Sequence, residues 1–443
     1  MERVNLLARI LRGKANTGKC TSIRLCASQR HWRGYAADML DGMLPPEVVR
    51  YRREVDDALC TQLQQLTTSA ERFVERQDLR VDIAALAKHL YNLCREGKRL
   101  RPALMFASWI AHGGDPKGAQ RRAAVEVGVA LELFQAAALL HDDVIDQADN
   151  RRGLPTAHRV FAARHRTGRW SGDPAHYGEA AAVLLGNLAL VAAHQALHQA
   201  LSAAGQQIPA TSAAATIEAF NAMAAEVQVG QFLDMTVAAQ DWGADPASDD
   251  DQGRVQGQLA GFGEAKESVD DRSEEHEARA MEVLQAKSAS YSVRWPLVIG
   301  AALAGATSSQ LALIEHVGRP LGAAFQLRDD VLSVFGDPEQ TGKPTGGDLC
   351  EGKRTVLIAR AFVLANSAGR QLLSTHLGVA DLTESQVQAM RETIKDCGAL
   401  SGVESLISDL YDAAVTQLQE APLDPEGRDM LMQLAEVAVN RTW

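Results

Sequence analysis

The sequence is dominated by apolar residues that recur three or four positions apart. The segments AAVEVGVALELFQAAALLHDDVID and VDIAALAKHLYNLCREG, the second ending at a glycine, are clear examples. This spacing places apolar side chains on one face of an α-helix. We find no convincing run of alternating β-branched residues to compete with it, so a sheet is not expected. The sequence therefore predicts an all-α protein whose residues 41–443 form one large helical domain.

Composition narrows the possible functions. Of the 443 residues, 46% are hydrophobic, which is ample for a core, and the net charge is −11. A negative charge of that size argues against general nucleic-acid binding, so no nucleic-acid partner is expected. The longest apolar runs, near residues 181–194 and 295–305, contain Gly or Asn or end early. We interpret them as too short for a transmembrane helix.

Two segments differ from the helical pattern. Residues 1–40 are basic and nearly free of acids, which predicts a flexible tail or, alternatively, an organelle-targeting signal. Residues 242–273 are rich in Asp, Gly, Gln and Ser, which predicts a flexible acidic insertion, either a plain linker or a mobile lid. The six cysteines include no CxxC pair, so we interpret them as reduced thiols of a cytoplasmic protein.

An acidic cluster ends the most apolar helix, in the segment LLHDDVIDQADNRRGLPTAH. Asp142 and Asp146 are four residues apart and share a helix face, with Asp143 beside them. Two carboxylates so placed repel each other unless a cation lies between them, and oxygen ligands of this kind suit Mg²⁺. A solvated acidic helix end is the alternative, but the apolar residues before and within the cluster favour a metal site.

A second acidic pair, Asp329 and Asp330, interrupts the apolar segment FQLRDDVLSVFGD. Four residues after Asp329 the chain has Ser333 where a third acid would complete the same pattern. This pair is weaker evidence for a metal by itself.

Three basic clusters accompany the acids. They are Lys98, Arg99 and Arg101 in EGKRLRPAL, Arg151 and Arg152 in NRRG, and Lys343 and Lys353 in TGKPTGGDLCEGKRT. Basic residues beside glycine are a common way to hold phosphate, because glycine lets the backbone approach and the cations supply charge. Acids and bases together predict a metal-bound partner of strong negative charge, such as one or two diphosphates.

These motifs, with VGQFLD and KSASYSVRWPL, occur in the order found in a known family, between about Gly97 and Thr355. The chain resembles the all-trans polyprenyl diphosphate synthases of the farnesyl/geranylgeranyl type, most of all the bacterial geranylgeranyl members. The resemblance implies the isoprenoid synthase fold, with helices around a central cavity, and usually a homodimer. It also implies a Mg²⁺-dependent trans-prenyltransferase that condenses isopentenyl diphosphate with an allylic diphosphate.

The resemblance also assigns roles to individual residues. It implies that Mg²⁺ is held by Asp142, Asp146 and Asp329, and that the catalytic set includes Asp143, Lys287 and Gln326. It implies that isopentenyl diphosphate binds Lys98, Arg101, Gln135 and Arg152, that the allylic diphosphate binds Arg151, Lys287 and Lys343, and that Ser288 and Gln326 lie near the allylic cation. Lys353 joins the substrate-binding set.

Two other functions stay open. Ser333 departs from the family pattern and raises the alternative of a non-catalytic subunit of a heteromeric synthase. A class I terpene cyclase is a further alternative, although the intact GKRLRP motif argues against it.

Product length is expected to depend on the helix before Asp142. By family analogy Ala137 and Ala138, five and four residues earlier, face the channel that holds the prenyl chain. Members with short products often have an aromatic residue there, and alanine leaves the path open. Phe134, about 5 Å deeper, is the next bulky residue. We expect geranylgeranyl diphosphate or a somewhat longer product, unless the opposite helices close the channel first.

Overall fold

The computed structural model describes residues 40–151, 153–203, 207–239, 269–336 and 346–441. In those residues the prediction of an all-α protein is confirmed, apart from one hairpin of two short strands. The predicted tail lies outside the described residues except for residue 40. So does the predicted insertion as far as residue 268, and its last residues belong to a helix that begins at Val269.

The elements follow one another in this order. The first helices are α1 (Pro46–Glu71), α2 (Gln77–Arg95), α3 (Leu100–Ala111) and α4 (Arg121–Ile145). The hairpin of β1 (Asn150–Arg151) and β2 (Leu154–Pro155) leads to α5 (Ala157–Gly168), α6 (Pro174–Ala203) and α7 (Ala210–Ala238). After α8 (Val269–Leu284) a π-helical segment (Gln285–Arg294) leads to α9 (Trp295–Ala304) and α10 (Ser308–Phe335). The chain continues with α11 (Gly347–Glu351), α12 (Val356–Leu364), α13 (Ser367–His376), α14 (Glu384–Asp396), α15 (Ala399–Glu420) and α16 (Pro425–Val439).

Close helix packing holds the parts of the site in place. Helix α4 is buried over most of its length and lies against α6, and α3 packs against both α9 and α16. The α3–α9 contact depends on Gly300, because a Cβ atom there would lie 2.1 Å from the carbonyl oxygen of Met105. The sequence did not mark this glycine, since only the tertiary approach of two helices requires it.

Two helices, Arg121–Ile145 and Pro174–Ser202, are long and apolar enough to cross a membrane by length and composition alone. In the most apolar window of α4, 78% of the residues are buried inside the fold, against 44% in α6. The burial of α4 is that of a core helix. The apolar run near residue 181 belongs to α6, which passes this length test, so the interpretation of that run as too short is wrong. The absence of a transmembrane segment stays a prediction.

The cysteines behave in two ways. Cys94, Cys350 and Cys397 are free thiols, as predicted. Cys60 on α1 is disulfide-bonded, so the prediction of a reduced thiol is wrong at that position. The remaining two cysteines lie outside the described residues.

Burial of His89 predicts a specific sensitivity to acid. This α2 side chain lies 6.0 Å from the ring of Phe161 on α5, and burial lowers its pKa to about 4 from an ordinary 6.5. The folded state therefore resists taking up the proton that the unfolded chain accepts. Its stability is intact above pH 6.5 and is lost as the pH falls towards 4.

We expect wild-type protein to lose about 1–2 kcal/mol more unfolding free energy between pH 7.5 and pH 5 than the non-titrating variant His89→Gln. Urea unfolding of both proteins at the two pH values measures this difference. Equal losses in the two proteins would contradict the assignment to His89.

Candidate active site

A cleft of about 120 Å³ opens between the π-helical segment, α10 and the α11–α12 connection. Polar and charged side chains supply most of its wall: Asp234, Lys287, Ser288, Gln326, Asp329, Asp330, Ser333, Asp348, Lys353, Arg354 and Thr355. The C-terminal end of α4 adjoins it, because both lysines of the wall reach carboxylates of that helix. The structure thus brings residues from distant parts of the sequence to one place.

Asp142 is surrounded by cations. Its Oδ1 atom lies 3.3 Å from Nζ of Lys287, and its Oδ2 atom lies 3.3 Å from Nη2 of Arg151. The Lys287 ammonium is shared, because it lies 2.5 Å from Oδ2 of Asp234 on α7. Burial by itself raises the pKa of Asp142, but Lys287 and Lys353 outweigh it and lower that pKa. Asp142 is therefore held as a carboxylate.

Asp146 lies one turn further along α4 in a less balanced field. The nearest cation is Nζ of Lys353, 3.5 Å from Oδ2, and that ammonium is closer to Glu351, at 2.7 Å. Burial, followed by the charge of Asp142, raises the pKa of Asp146 to about 6. The two carboxylates on this face repel each other, so an additional cation between them would be stabilised.

Asp143, unlike Asp142 and Asp146, pairs closely with the guanidinium of Arg151. It is buried and accepts from Nε of Arg151 at 2.8 Å, with Nη2 of Arg151 at 2.6 Å. This fork-like contact fixes the guanidinium, which strand β1 presents, beside Asp142. Asp143 thus orients a cation of the site.

The π-helical segment positions Lys287 and Ser288. Its backbone lies so close to α7 that a Cβ atom on Gly230 would be 2.3 Å from the backbone nitrogen of Lys287. The wider π turn changes the angular register of the side chains, and such turns often occur at functional sites. Sequence periodicity predicted a helix here but gave no indication of the change in register.

Asp329 and Asp330, the second acidic pair, have different surroundings, because adjacent residues of a helix point about 100° apart. Asp329 is half exposed, and its Oδ1 atom lies 2.5 Å from Nη2 of Arg441, just beyond α16. Asp330 is buried and accepts from Nε2 of Gln326 at 2.9 Å. Burial, followed by the charge of Asp348, raises the pKa of Asp330 to about 8. Of the pair, Asp329 is therefore the one more accessible to a ligand, and Arg441 contacts it in this structure.

The residues expected to bind a second diphosphate form another group. Arg101, at the start of α3, donates from Nη2 to Oγ of Ser292 at 2.6 Å, and its guanidinium lies 4.2 Å from the ring centre of Tyr291. Lys98 and Gln135 are partly exposed like Arg101. None of the three lines the acidic cleft described above. Two of the predicted cations, Arg152 and Lys343, lie outside the described residues.

Burial differs among the α4 residues that are predicted to face the prenyl channel. Ala138 is partly exposed, as are Gln135 and Asp142 on the same face, whereas Ala137 is buried. Phe134, four residues before Ala138, is buried and meets the rings of Phe220 and Tyr291 edge-on, at 5.9 and 6.3 Å. Ala138 is therefore the more accessible of the two alanines, and Phe134 belongs to an aromatic cluster one turn earlier on α4.

Carboxylate chemistry at the cleft fits a hard cation. The described residues contain no cluster of three or more His, Cys, Asp or Glu side chains that could hold a metal ion unaided. Asp142 is nevertheless held as a carboxylate beside Lys287, and Asp146 lies four residues later on the same face of α4. One or two carboxylates completed by phosphate oxygens are a usual arrangement for Mg²⁺. The side chains therefore suit a metal that binds together with a diphosphate.

Sequence reasoning missed several charged partners. Asp234, Asp348, Glu351 and Arg441 all contact residues of the predicted site. Asp234 ends the motif VGQFLD and two others lie in TGGDLCEGKRT, so the motifs already contained the signal. Arg441 had none, because its role follows only from the return of the last helix to α10.

Comparison with known proteins agrees with this architecture. The model of the family described as Polyprenyl synthetase matches residues 84–394. A geranylgeranyl diphosphate synthase from Sulfolobus acidocaldarius is 27% identical over 363 residues, which cover 81% of this chain and 92% of that protein. A geranylfarnesyl diphosphate synthase from Aeropyrum pernix is 28% identical over 346 residues, which cover 78% and 90%.

A solved structure gives the same answer. The geranylgeranyl pyrophosphate synthase from Corynebacterium glutamicum, complexed with isoprenyl diphosphate and magnesium, superimposes with a TM-score of 0.73 at 30% identity. The match covers 87% of this chain and 98% of that one. The fold is therefore the all-α isoprenoid synthase fold, as the resemblance implied. With a family model that spans most of its length, the chain belongs to the polyprenyl synthetase family, the all-trans polyprenyl diphosphate synthases.

Proposed function

We propose that this prenyltransferase condenses isopentenyl diphosphate with an allylic diphosphate in a Mg²⁺-dependent reaction, and that its product is geranylgeranyl diphosphate or somewhat longer. The observation that carries the proposal is the meeting of Asp142 and Asp146 with Lys287, Lys353 and Arg151 at one cleft. This mixture of charges supports the binding of a diphosphate together with a metal. The carboxylates would bind the metal ion, and the lysines and the arginine would bind the diphosphate. The corresponding Corynebacterium glutamicum structure holds magnesium and isoprenyl diphosphate.

In this proposal Asp142, Asp146 and Asp329 hold the metal, which supplies Lewis-acid neutralisation of the leaving diphosphate when bound. Lys287, Lys353 and Arg151 stabilise the same charge as the C–O bond breaks and both bonding electrons leave with oxygen. The allylic carbocation that remains is attacked by the double bond of isopentenyl diphosphate. That attack forms the new C–C bond and leaves a carbocation on the former isopentenyl unit. Loss of one proton from this cation to the departing diphosphate then forms the C=C double bond of the product.

Other side chains bind and orient in the proposed reaction. Lys98, Arg101 and Gln135 take the isopentenyl diphosphate, and Ser288 and Gln326 line the cleft beside the cation. Asp143 acts through Arg151, whose guanidinium it fixes. Arg152 and Lys343 keep the roles that the family pattern assigns them, among the residues outside the described part of the chain.

Removing one carboxylate tests the metal assignment. Asp142→Ala should lower turnover at least about 1,000-fold, because the metal that neutralises the leaving diphosphate loses one of its protein ligands. The measurement is the incubation of purified protein with Mg²⁺, isopentenyl diphosphate and farnesyl diphosphate, with products sized by chromatography. Asp149→Ala is the matched control, since that exposed aspartate pairs only with Arg159 on the surface among the described residues and should leave turnover unchanged.

The wild-type arm of that assay tests the function itself. A discrete longer prenyl diphosphate supports an active synthase, whereas bound substrates without elongation would favour the non-catalytic subunit that Ser333 raised. Near-full activity in Asp142→Ala would refute the metal assignment and leave the family membership untouched.

Phe134, Ala138 and Asp142 lie on one face of α4, so substitutions along this face test what limits the length of the product. Ala138→Phe should shorten the product by about one isoprene unit, because an aromatic ring would block the channel one turn, about 5.4 Å, below the acids. Phe134→Ala should lengthen it by opening the aromatic cluster beneath. Chromatographic sizing decides, and a shorter product from Ala137→Phe but not from Ala138→Phe would move the channel to the other side of the helix.

We further propose that the enzyme is a homodimer that buries α6 and α7. These helices expose large apolar side chains, including Leu184 (65% exposed) and Val191 (62%) on α6 and Val229 (57%) and Phe232 (67%) on α7. Exposed apolar surface of this kind supports a protein interface.

Two charged substitutions test the dimer. The double variant Leu184→Glu/Phe232→Glu should sediment as a monomer, because buried carboxylates without partners oppose association. Leu364→Glu is the control, since that side chain is 53% exposed at the end of α12, which packs against α8, α10 and α15. An unchanged sedimentation coefficient in the double variant would overturn this interface.

A further inference from the structure

The motif GKRLRP contains an arginine that points away from the substrate side. Arg99 is only 3% exposed, whereas its neighbours Lys98 and Arg101 remain partly exposed. A buried guanidinium between two residues of the proposed isopentenyl diphosphate site requires an explanation, because desolvating a charge is costly unless it is fully paired.

Arg99 is paired on three sides. Its Nε atom donates to Oδ1 of Asp56 on α1 at 2.7 Å, and Nη1 donates to Oε2 of Glu132 on α4 at 2.7 Å. Its Nη2 atom donates to the backbone oxygen of Cys94, near the end of α2, at 2.6 Å. Burial lowers the pKa of Arg99, but Glu132 and Asp56 outweigh it and raise that pKa above the usual range. The rigid fork of donors, which lysine lacks, thus joins three helices.

The backbone at Arg99 adopts a conformation that needs such support. Its φ is 52° and its ψ is 35°, in the left-handed region that non-glycine residues seldom occupy. Residues held there persist where the surroundings determine them strongly. Helix α3 begins at the next residue, so this turn sets the direction in which Lys98 and Arg101 leave the backbone.

The Glu132 contact links that turn to the other part of the site. Glu132 precedes Gln135 by three residues on α4, so the two lie within one helical turn. Through one guanidinium, the start of α3 is therefore held at a fixed distance from the helix that carries Gln135.

We propose that Arg99 is a positioning residue for isopentenyl diphosphate, which it does not touch: it fixes Lys98 and Arg101 relative to Gln135. The inference rests on the proposed function, because it takes these three residues as the binding site. A purely structural role would instead affect the stability of the whole fold and both substrates alike.

Two variants test the positioning role. Arg99→Lys keeps the charge but has one ammonium in place of a fork that reaches three acceptors. Glu132→Met cuts only the link to α4 and leaves the Arg99–Asp56 ion pair intact, so it carries the test if the first variant does not fold. The matched control is Arg52→Lys, because Arg52 is a fully buried arginine on α1 that pairs with Asp41.

The readout is the dissociation constant of each substrate, measured by calorimetry with that substrate alone. Condensation needs both substrates, so no reaction disturbs the measurement. Both Arg99→Lys and Glu132→Met should weaken isopentenyl diphosphate binding roughly tenfold or more, and should change farnesyl diphosphate binding with Mg²⁺ less than about twofold. In turnover the KM for isopentenyl diphosphate should rise in step, with kcat within about threefold of wild type. Arg52→Lys should lower the melting temperature without this selectivity.

Equal weakening for both substrates, or no weakening in Glu132→Met, would overturn the inference. Failure of the proposed function has a different signature, because wild-type protein itself would then fail to elongate the diphosphates, whether or not it bound them. The wild-type elongation assay, run beside the titration, thus separates the two failures.

Discussion

The site depends on the repulsion between carboxylates that are crowded at the end of a buried helix. Asp142 and Asp146 share one face of α4, and burial, followed by the charge of Asp142, raises the pKa of Asp146. Cations reach these carboxylates from three directions. The π-helical segment supplies Lys287, the hairpin supplies Arg151, and the segment after α11 supplies Lys353. Each of these cations already contacts at least two carboxylates, so an incoming anion has to compete with them. The arrangement therefore favours a ligand that brings positive and negative charge together.

The fold class and much of this site could be predicted from sequence, because the evidence lay in spacing along single helices. Apolar residues three or four apart predicted the helices, and the spacing of Asp142 and Asp146 predicted a shared face. What could not be predicted depends on contacts between distant segments. The π turn that presents Lys287 packs closely against Gly230, and no local pattern distinguishes it from an ordinary helix. Pairing of Asp329 with Arg441 required the last helix to be placed first.

Neighbouring residues of one motif here perform separate tasks, which explains why motif matching alone assigns roles too broadly. In the first acidic motif Asp142 pairs with Lys287 of the cleft wall, while Asp143 holds the guanidinium of Arg151. In the second, one aspartate is half exposed and the other is buried with a raised pKa. A helix turns about 100° per residue, so adjacent side chains meet different surroundings even when their chemistry is identical. Burial and partners, more than residue type, decide which of them can serve as a ligand.

The contact between Arg441 and Asp329 gives the enzyme an internal competitor. The guanidinium lies on the carboxylate and also over the ring of Phe325, so it is well held there. A metal ion that approached Asp329 without a diphosphate would have to displace the Arg441 guanidinium. Its apparent affinity would be reduced by the strength of the Arg441–Asp329 contact. A metal that arrived with a diphosphate would offer the displaced guanidinium a new anion nearby. The end of the chain would thus make the enzyme discriminate between a bare ion and an ion accompanied by substrate.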